Sequence, residues 1–218
     1  MKKRTIIAIL LFLSLSTISY KHEIIIDKFN IKTIIIENNF LINEIELKKL
    51  LSPVYNKSLF NLKNSEIKNM LIQESFIESF NIKKKYPNTL KIKIYEKKPI
   101  AILLKNQNKF LLSEKIDLIE YREIAKFQNL PYVFGNEKQF KIFYQNLEKI
   151  NFPFDIVKKF IFYDFNRWDI ETRDNKIIKL PNVNYIKSLE NFLNLINDKN
   201  FIKYKMFDYR ISNQLILK

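Results

Sequence analysis

An uncharged apolar run near the N-terminus constrains this chain more than any other feature. Thr5–Tyr20 contains no charged side chain, and the basic tripeptide Lys2-Lys3-Arg4 precedes it. Because positive charge tends to stay on the cytoplasmic side of a membrane, this pattern predicts that everything after Tyr20 is exported. Two interpretations of the run stay open. It is either a retained transmembrane anchor, short for a hydrocarbon core of ~30 Å, or a signal peptide that is cleaved after export.

The composition argues against an active site. The chain has no cysteine and one histidine, His22, which follows the apolar run. A thiol nucleophile, a disulfide framework and the usual zinc ligand sets are therefore absent from the sequence. It also shows neither a Gly-rich phosphate loop nor a G-x-S-x-G nucleophile motif. We therefore predict a non-enzyme with no catalytic residue, metal, cofactor or small-molecule substrate.

The formal net charge of +15 raises the question of nucleic acid as a partner. Lysine is scattered through every segment, whereas nucleic-acid readers cluster their charge and use arginine for base contacts. The densest run, Lys83-Lys84-Lys85, falls in a predicted hairpin. We therefore predict no nucleic-acid partner, and some attraction to an anionic membrane surface instead.

The first part of the exported chain predicts a β-α-α-β-β module. A strand is expected over Ile31–Ile36, and a helix capped by Asn43 runs to about Leu51. A second helix is capped by Asn64 or Ser65. Two alternating segments, Phe80–Tyr86 and Thr89–Glu96, then form a hairpin around Pro87-Asn88.

The part after Pro99 is dominated by strands, and we predict an antiparallel sheet with helices on one face. The predicted helices are Glu137–Ile150 and Val183–Ile196. The predicted strands are Ile100–Leu104, Phe110–Leu112, Ile116–Ile119, Leu130–Phe134, Phe160–Phe165, Trp168–Thr172, Ile177–Leu180 and Met206–Leu217.

Three motifs follow one another behind the apolar run. They are Tyr86–Ala101, with the sequence YPNTLKIKIYEKKPIA; Arg167-Trp168-Asp169-Ile170, followed by Asp174-Asn175 and Leu180-Pro181; and Asp208-Tyr209-Arg210. In type and order they resemble the FtsQ/DivIB family of bacterial cell-division proteins. The chain departs from the family pattern where Asn166 replaces an arginine, Asn175 replaces a turn glycine, and Glu74–Ile77 lacks a Pro-Trp pair.

The resemblance implies an α+β protein in four parts. These are a cytoplasmic stub (1–4), a transmembrane helix in the lipid (5–20), a POTRA domain (24–98) and a β-domain (99–218). It implies a single-pass protein of the inner membrane, with its N-terminus in the cytoplasm and its bulk in the periplasm, enriched at the division site. It also implies a scaffold whose β-domain engages small bitopic FtsB-like and FtsL-like proteins.

The last predicted strand is the expected binding site, because a terminal strand commonly leaves one edge unpaired. An extended partner segment would satisfy that edge by strand addition. The predicted partner-binding residues are Asp208, Tyr209, Arg210, Ile211, Asn213, Leu215 and Leu217. Arg167, Trp168 and Asp169 are predicted as a structural motif, with Trp168 in the core and its two neighbours on the other face.

Other interpretations stay open at this point. The final strand pairs internally if its edge is covered. A POTRA-bearing export component that passes substrates to an outer-membrane barrel is one alternative, although no long series of barrel strands follows. A soluble periplasmic binding protein, released by signal peptidase, is the other.

Overall fold

A computed structural model describes residues 3–16, 27–211 and 213–218. Helix α1 covers Lys3–Ser16, and the remainder of the predicted 5–20 segment lies outside the described residues. None of the helices in the described ranges has the combined length and apolar character that crossing a membrane requires. The chain divides into two compact units, residues 1–96 and 97–218.

The first unit contains a three-stranded sheet and two short helices. Its elements are β1 (Thr33–Glu37), α2 (Glu44–Leu50), α3 (Asn64–Leu71), β2 (Ile77–Lys85) and β3 (Thr89–Glu96). The strand order is β1-β3-β2, with β1 parallel and β2 antiparallel to β3. The predicted β-α-α-β-β order is therefore confirmed.

Side chains at the ends of elements fix this unit. Asn43 accepts a hydrogen bond from the Ile45 backbone N–H and so caps α2. The Glu96 carboxylate, at the end of β3, accepts the backbone N–H groups of Leu41 and Ile42 at 2.9 Å. The core between sheet and helices is fully buried at Leu47, Ile67, Leu71, Leu90, Ile92 and Ile94.

The second unit is built on one nine-stranded sheet with two long helices. The strands are β4 (Pro99–Lys105), β5 (Asn108–Ser113), β6 (Leu118–Glu120), β7 (Tyr132–Phe134), β8 (Val157–Tyr163), β9 (Arg167–Thr172), β10 (Ile177–Lys179), β11 (Met206–Asp208) and β12 (Ile216–Leu217). Helices α4 (Glu137–Lys149) and α5 (Tyr185–Ile196) interrupt them. The strand order is β12-β11-β10-β9-β8-β7-β4-β5-β6.

The prediction of an antiparallel sheet is wrong, because the sheet is mixed. Strands β4 and β7, β7 and β8, and β10 and β11 pair in parallel. Parallel neighbours need a crossover connection, and α4 and α5 supply two of the three. Both helices pack into the same core as the sheet, through Phe140 and Phe143 of α4 and Phe192 of α5. The Asn146 amide also donates to the Tyr185 hydroxyl at 2.7 Å, so the helices lie side by side on one face.

The prediction of one long final strand over Met206–Leu217 is also wrong. The chain leaves β11 at Asp208, reverses direction, with residues 209–211 and 213–215 described in this reversal, and returns as β12 antiparallel to β11. Asp208 starts the reversal because its carboxylate accepts the backbone N–H of Arg210 at 3.1 Å. Asn213 continues it with a left-handed backbone (φ 60°). The strand at this edge of the sheet is therefore the short β12.

Candidate partner-binding surface

Strand pairing brings together two motifs that are distant in sequence. Lys179 of β10 lies opposite Asp169 of β9 on one side and opposite Asp208 of β11 on the other. These three side chains alternate with core residues such as Trp168 and Phe207, which face the helices. A charged row therefore crosses three neighbouring strands on the face of the sheet opposite α4 and α5.

Asp208, at one end of this row, forms a close ion pair with Arg210 two residues later in the chain. The guanidinium Nε lies 2.8 and 3.0 Å from the two carboxylate oxygens, and Nη2 lies 2.6 Å from Oδ2. The Asp208 side chain is only 7% exposed, whereas that of Arg210 is 44% exposed. Hydrogen bonding to Arg210 holds the pKa of Asp208 below its ordinary value, against the effect of burial. This pair fixes the first turn of the 209–215 reversal.

Asp169 is buried near a positive charge but is less fully hydrogen-bonded than Asp208. Its Oδ1 is 3.4 Å from the Nε of Arg167, and both atoms are buried with no hydrogen-bond partner among the described residues. Burial raises the pKa of Asp169, although the positive charges of Arg167, Lys179 and Arg210 oppose that shift. The Arg167 guanidinium also lies over the Tyr163 ring, 4.4 Å from its centroid.

Tyr209 belongs to the core rather than to the exposed surface. Its side chain is 7% exposed, and its hydroxyl donates to Asn191 Oδ1 at 2.9 Å. Burial raises the pKa of this hydroxyl. The backbone N–H of Tyr209 donates to the Lys179 carbonyl at 2.8 Å. Tyr209 therefore ties the reversal to α5 and to β10.

The remaining predicted partner-binding residues lie along the reversal and β12. Ile211 and Asn213 are exposed, whereas Leu215 and Leu217 are half-buried and pack against the core. Ile216 is 39% exposed on the same edge, and the sequence pattern does not predict it as a binding residue. Strict alternation through one long strand selects the odd-numbered positions, and only the reversal shows that Ile216 faces solvent.

Hydrogen bonding shows which backbone groups of β12 face outward. The N–H of Lys218 donates to the Met206 carbonyl at 3.1 Å, and the N–H of Met206 donates to the Lys218 carbonyl at 2.9 Å. In an antiparallel ladder the next pair, Leu217 with Phe207, is then not hydrogen-bonded. The N–H and C=O of Leu217 therefore point away from β11. Within the described part of the chain, no strand lies beyond β12 in the sheet.

A polar groove of about 440 Å³ runs beside this edge. It is lined by the loop before α5, by one side of α5 and by the 209–215 reversal, with Asn184, Lys187, Asn191, Arg210 and Gln214 among the contributors. Val183 and Ile211 add exposed apolar side chains at its rim. Across the described residues, no group of three or more His, Asp or Glu is placed to hold a metal ion. The groove and edge are suited to binding a polypeptide segment.

Comparison with known domain families identifies the type of the first unit. Residues 29–97 match the family model described as POTRA domain, FtsQ-type. This range coincides with the β-α-α-β-β elements of the first unit. The chain is thus an α+β protein in which an FtsQ-type POTRA domain precedes a large mixed sheet.

Whole-chain similarity extends the match past the POTRA domain. The chain is 29% identical to the cell division protein FtsQ of Rickettsia typhi over 195 residues, covering 87% of this chain and 73% of the relative. It is 28% identical to cell division protein FtsQ of Rickettsia prowazekii and of Rickettsia conorii, covering 87% of this chain and 72% of each relative. The resemblance seen in the motifs is confirmed: most of the chain is similar to proteins named cell division protein FtsQ.

Proposed function

We propose that this chain is a non-enzymatic scaffold of the cell-division machinery that recruits small bitopic partners by strand addition at β12. In this proposal residues 5–20 anchor it in the inner membrane, residues 24–98 form the POTRA domain and residues 99–218 form the β-domain. The FtsQ relatives support the cell-division role. The unpaired outer edge of β12 supports the mode of recruitment.

Two edge strands, β2 of the POTRA sheet and β12 of the second sheet, differ in how they discourage pairing. Strand β2 carries Lys83, Lys84 and Lys85, and lysine on an edge opposes the approach of another strand. Strand β12 carries Ile216 and Leu217 instead. An apolar, uncharged edge is an aggregation liability unless a partner covers it, so this edge suits a permanent or frequently bound segment.

Contacts of Asp208 and Tyr209 fix the conformation of the reversal that precedes β12. The Asp208–Arg210 pair fixes the start of the reversal, and the buried Tyr209 hydroxyl ties it to α5. A segment that adds beside Leu217 thus meets a strand whose conformation is already set. Preorganisation of this kind reduces the entropy lost on association.

The partners in this proposal are the exported segments of FtsB-like and FtsL-like proteins, met at the division site. The test is capture of those segments by the full chain in detergent, compared with the Leu217→Pro variant. Proline removes the outward N–H of Leu217 without removing a bond to β11, because that N–H is not part of the ladder. We expect the variant to lose capture while its circular dichroism spectrum stays that of the wild type.

A matched control lies at the opposite edge of the same sheet. Ser113 N–H donates to the Asp117 carbonyl at 3.1 Å, so Leu118 of β6 also occupies a pair without hydrogen bonds, and its N–H points outward. Leu118→Pro is therefore expected to retain capture. Capture by both proline variants at the wild-type level would rule out strand addition at β12. Deleting residues 212–218 should reproduce the loss.

A further inference from the structure

An exposed aromatic cluster lies at one end of the POTRA domain. It consists of Phe29, Phe60 and Tyr86, whose ring centroids are 4.7 Å (Phe29–Phe60), 5.1 Å (Phe60–Tyr86) and 6.2 Å (Phe29–Tyr86) apart. Phe60 is 59% exposed and Tyr86 is 55% exposed. The rings pack on one another outside the core. Contiguous exposed rings of this kind indicate a surface for interaction.

Three chain segments converge to build this aromatic cluster. Because β1 is parallel to β3, with Thr33 beside Thr89, the residues entering β1 lie next to the β2–β3 turn. Lys32 N–H donates to the Asn88 carbonyl at 2.9 Å within that turn. The segment that carries Phe60 joins them, since Leu59 N–H donates to the Phe29 carbonyl at 3.0 Å. The cluster therefore marks the end of the domain at which the chain arrives from its apolar run.

The length of the connecting segment limits how far this end lies from a membrane. Only residues 21–28 separate the apolar run from Phe29. Even a fully extended segment of this length spans no more than about 30 Å. If residues 5–20 are anchored in lipid, as proposed above, Phe29 and its two neighbours remain close to the membrane surface.

The charge around the aromatic cluster is mainly positive. Lys28, Lys32 and Lys85 are exposed on the segments that carry the three rings. Asp27 is the acidic residue next to them, and it accepts a hydrogen bond from Asn30. Aromatic rings beside lysines are a combination typical of the interface between anionic headgroups and acyl chains.

We propose that the aromatic cluster docks the POTRA domain on the anionic lipid surface of the membrane that anchors the chain. Phe60 and Tyr86 insert at headgroup level, and the neighbouring lysines contact lipid phosphates. The proposal rests on the anchoring by residues 5–20 that belongs to the proposed function. A lipid surface is favoured over a protein partner because the short connection and the lysines both direct this end of the domain toward it.

The test uses the absence of cysteine, which allows single nitroxide labels in the full chain. Asn61→Cys places a label beside Phe60. Gln73→Cys is the matched control, because it is exposed and precedes the end of β2 where Ile77 pairs with Glu96, opposite the turn that carries Tyr86. Both labelled chains are placed in nanodiscs of phosphatidylcholine and phosphatidylglycerol. Collision of each label with oxygen and with a water-soluble nickel chelate is then measured.

We expect the label at residue 61 to lose access to the nickel chelate and to gain access to oxygen, while the label at residue 73 stays accessible to the chelate. Adding Phe60→Ser and Tyr86→Ser together should restore access at residue 61. Equal accessibility of the two labels would overturn the proposal. Protection at residue 61 that appears only in nanodiscs holding two chains, and not in those holding one, would also overturn it, in favour of contact with a second copy of the chain.

Partner capture by the same labelled chains separates this inference from the proposed function. Capture with no lipid contact at residue 61 overturns only the docking of the aromatic cluster. Lipid contact without capture overturns only recruitment at β12.

Discussion

The indole of Trp168 is enclosed by phenylalanine rings from helix α4 and strand β8. It stacks on Phe143 of α4 with centroids 4.8 Å apart and lies 5.9 Å from Phe140 and 4.9 Å from Phe162. Gly135 is required nearby, because a Cβ there would come within 2.7 Å of the Phe162 Cβ. Strand β9, which carries Trp168, also places Asp169 in the charged row on the other face of the sheet. The motif Arg167-Trp168-Asp169 thus contributes one residue to the core under the helices and another to the charged row on the opposite face of the sheet.

Replacing Trp168 with alanine should strongly destabilise the second unit. Removing a large buried aromatic costs about 3–5 kcal/mol, through lost burial and the cavity left behind. Urea denaturation followed by circular dichroism would measure this as a lower midpoint. Phe165→Ala is the control, since that ring is 82% exposed and should change stability by no more than about 0.5 kcal/mol. Equal effects of the two substitutions would contradict the enclosed position of Trp168.

The Asp208–Arg210 pair should make stability depend on pH. The pKa of Asp208 is lowered in the folded state, mainly by hydrogen bonding to Arg210. Its stabilising contribution is therefore complete above the unfolded pKa of about 4 and is lost as the pH falls through the lower folded value. Asp169 acts with the opposite sign, because burial raises its pKa, so the two carboxylates need separate variants.

The measurement is the free energy of unfolding of wild type and Asp208→Asn from neutral to acidic pH. We expect the variant to be less stable at neutral pH by about 1.5 kcal/mol, the lower end for a hydrogen bond to a charged group, because Arg210 is nearly half exposed. The difference should shrink in acid. Arg210→Gln should remove the same contribution, and the double variant should add little. A difference that does not change with pH would refute the pair as its source.

Secondary-structure elements are predictable from the sequence where the hydrophobic pattern and the turn signals next to it are both present. The β2–β3 hairpin was predicted because apolar positions such as Leu90, Ile92 and Ile94 alternate, and a Pro-Asn turn separates the two segments. The final run also alternates, and alternation predicted one strand. The reversal depends on Asp208 folding back onto Arg210 and on a left-handed Asn213, and hydrophobic period carries no information about either contact.

The candidate surface was predictable only in part, because sheet order is a long-range property. The sequence identified Asp169 and Asp208 as members of separate motifs. It did not identify Lys179, which joins them, because that contact requires the parallel pairing of β10 with β11. A helix between two predicted strands is a signal for a crossover, and the α5 pattern could have indicated it.

Asparagine occupies most of the left-handed backbone positions among the described residues of this glycine-poor chain, and the β8–β9 turn offers a test. Asn166 is exposed and has a φ of 55°, in the left-handed region. Asn166→Ala should lower the free energy of unfolding by about 1 kcal/mol, because a Cβ without a compensating polar group disfavours this conformation. Asn166→Gly should have little effect or stabilise slightly. Thermal denaturation of both variants measures this, and a harmless alanine would contradict the turn geometry.

At the scale of the whole molecule, the two proposed binding surfaces lie in different units of the chain. The β12 edge, beyond which no described strand lies, belongs to the second unit, whereas the exposed aromatic cluster belongs to the POTRA domain. The net charge of +15 is spread over both. Strand addition at an edge is short-ranged, but charge acts over a Debye length of ~8 Å at physiological ionic strength. Charge therefore favours approach to anionic surfaces generally, and in the proposed function the β12 edge supplies selectivity.

A chain with this net charge should bind nucleic acid without sequence preference, as it would bind any other polyanion. Arginine supplies five of the 38 basic residues, so the bidentate base contacts that give sequence discrimination are scarce. Fluorescence anisotropy with two DNA duplexes of equal length and different sequence should show weak, equal binding at low salt. That binding should disappear toward physiological ionic strength, because it depends on the release of counterions. If residues 5–20 anchor the chain as proposed, nanodiscs of anionic lipid should still hold it under those conditions, through apolar burial. Preference for one duplex, or binding that resists salt, would show that the basic residues form a nucleic-acid site after all.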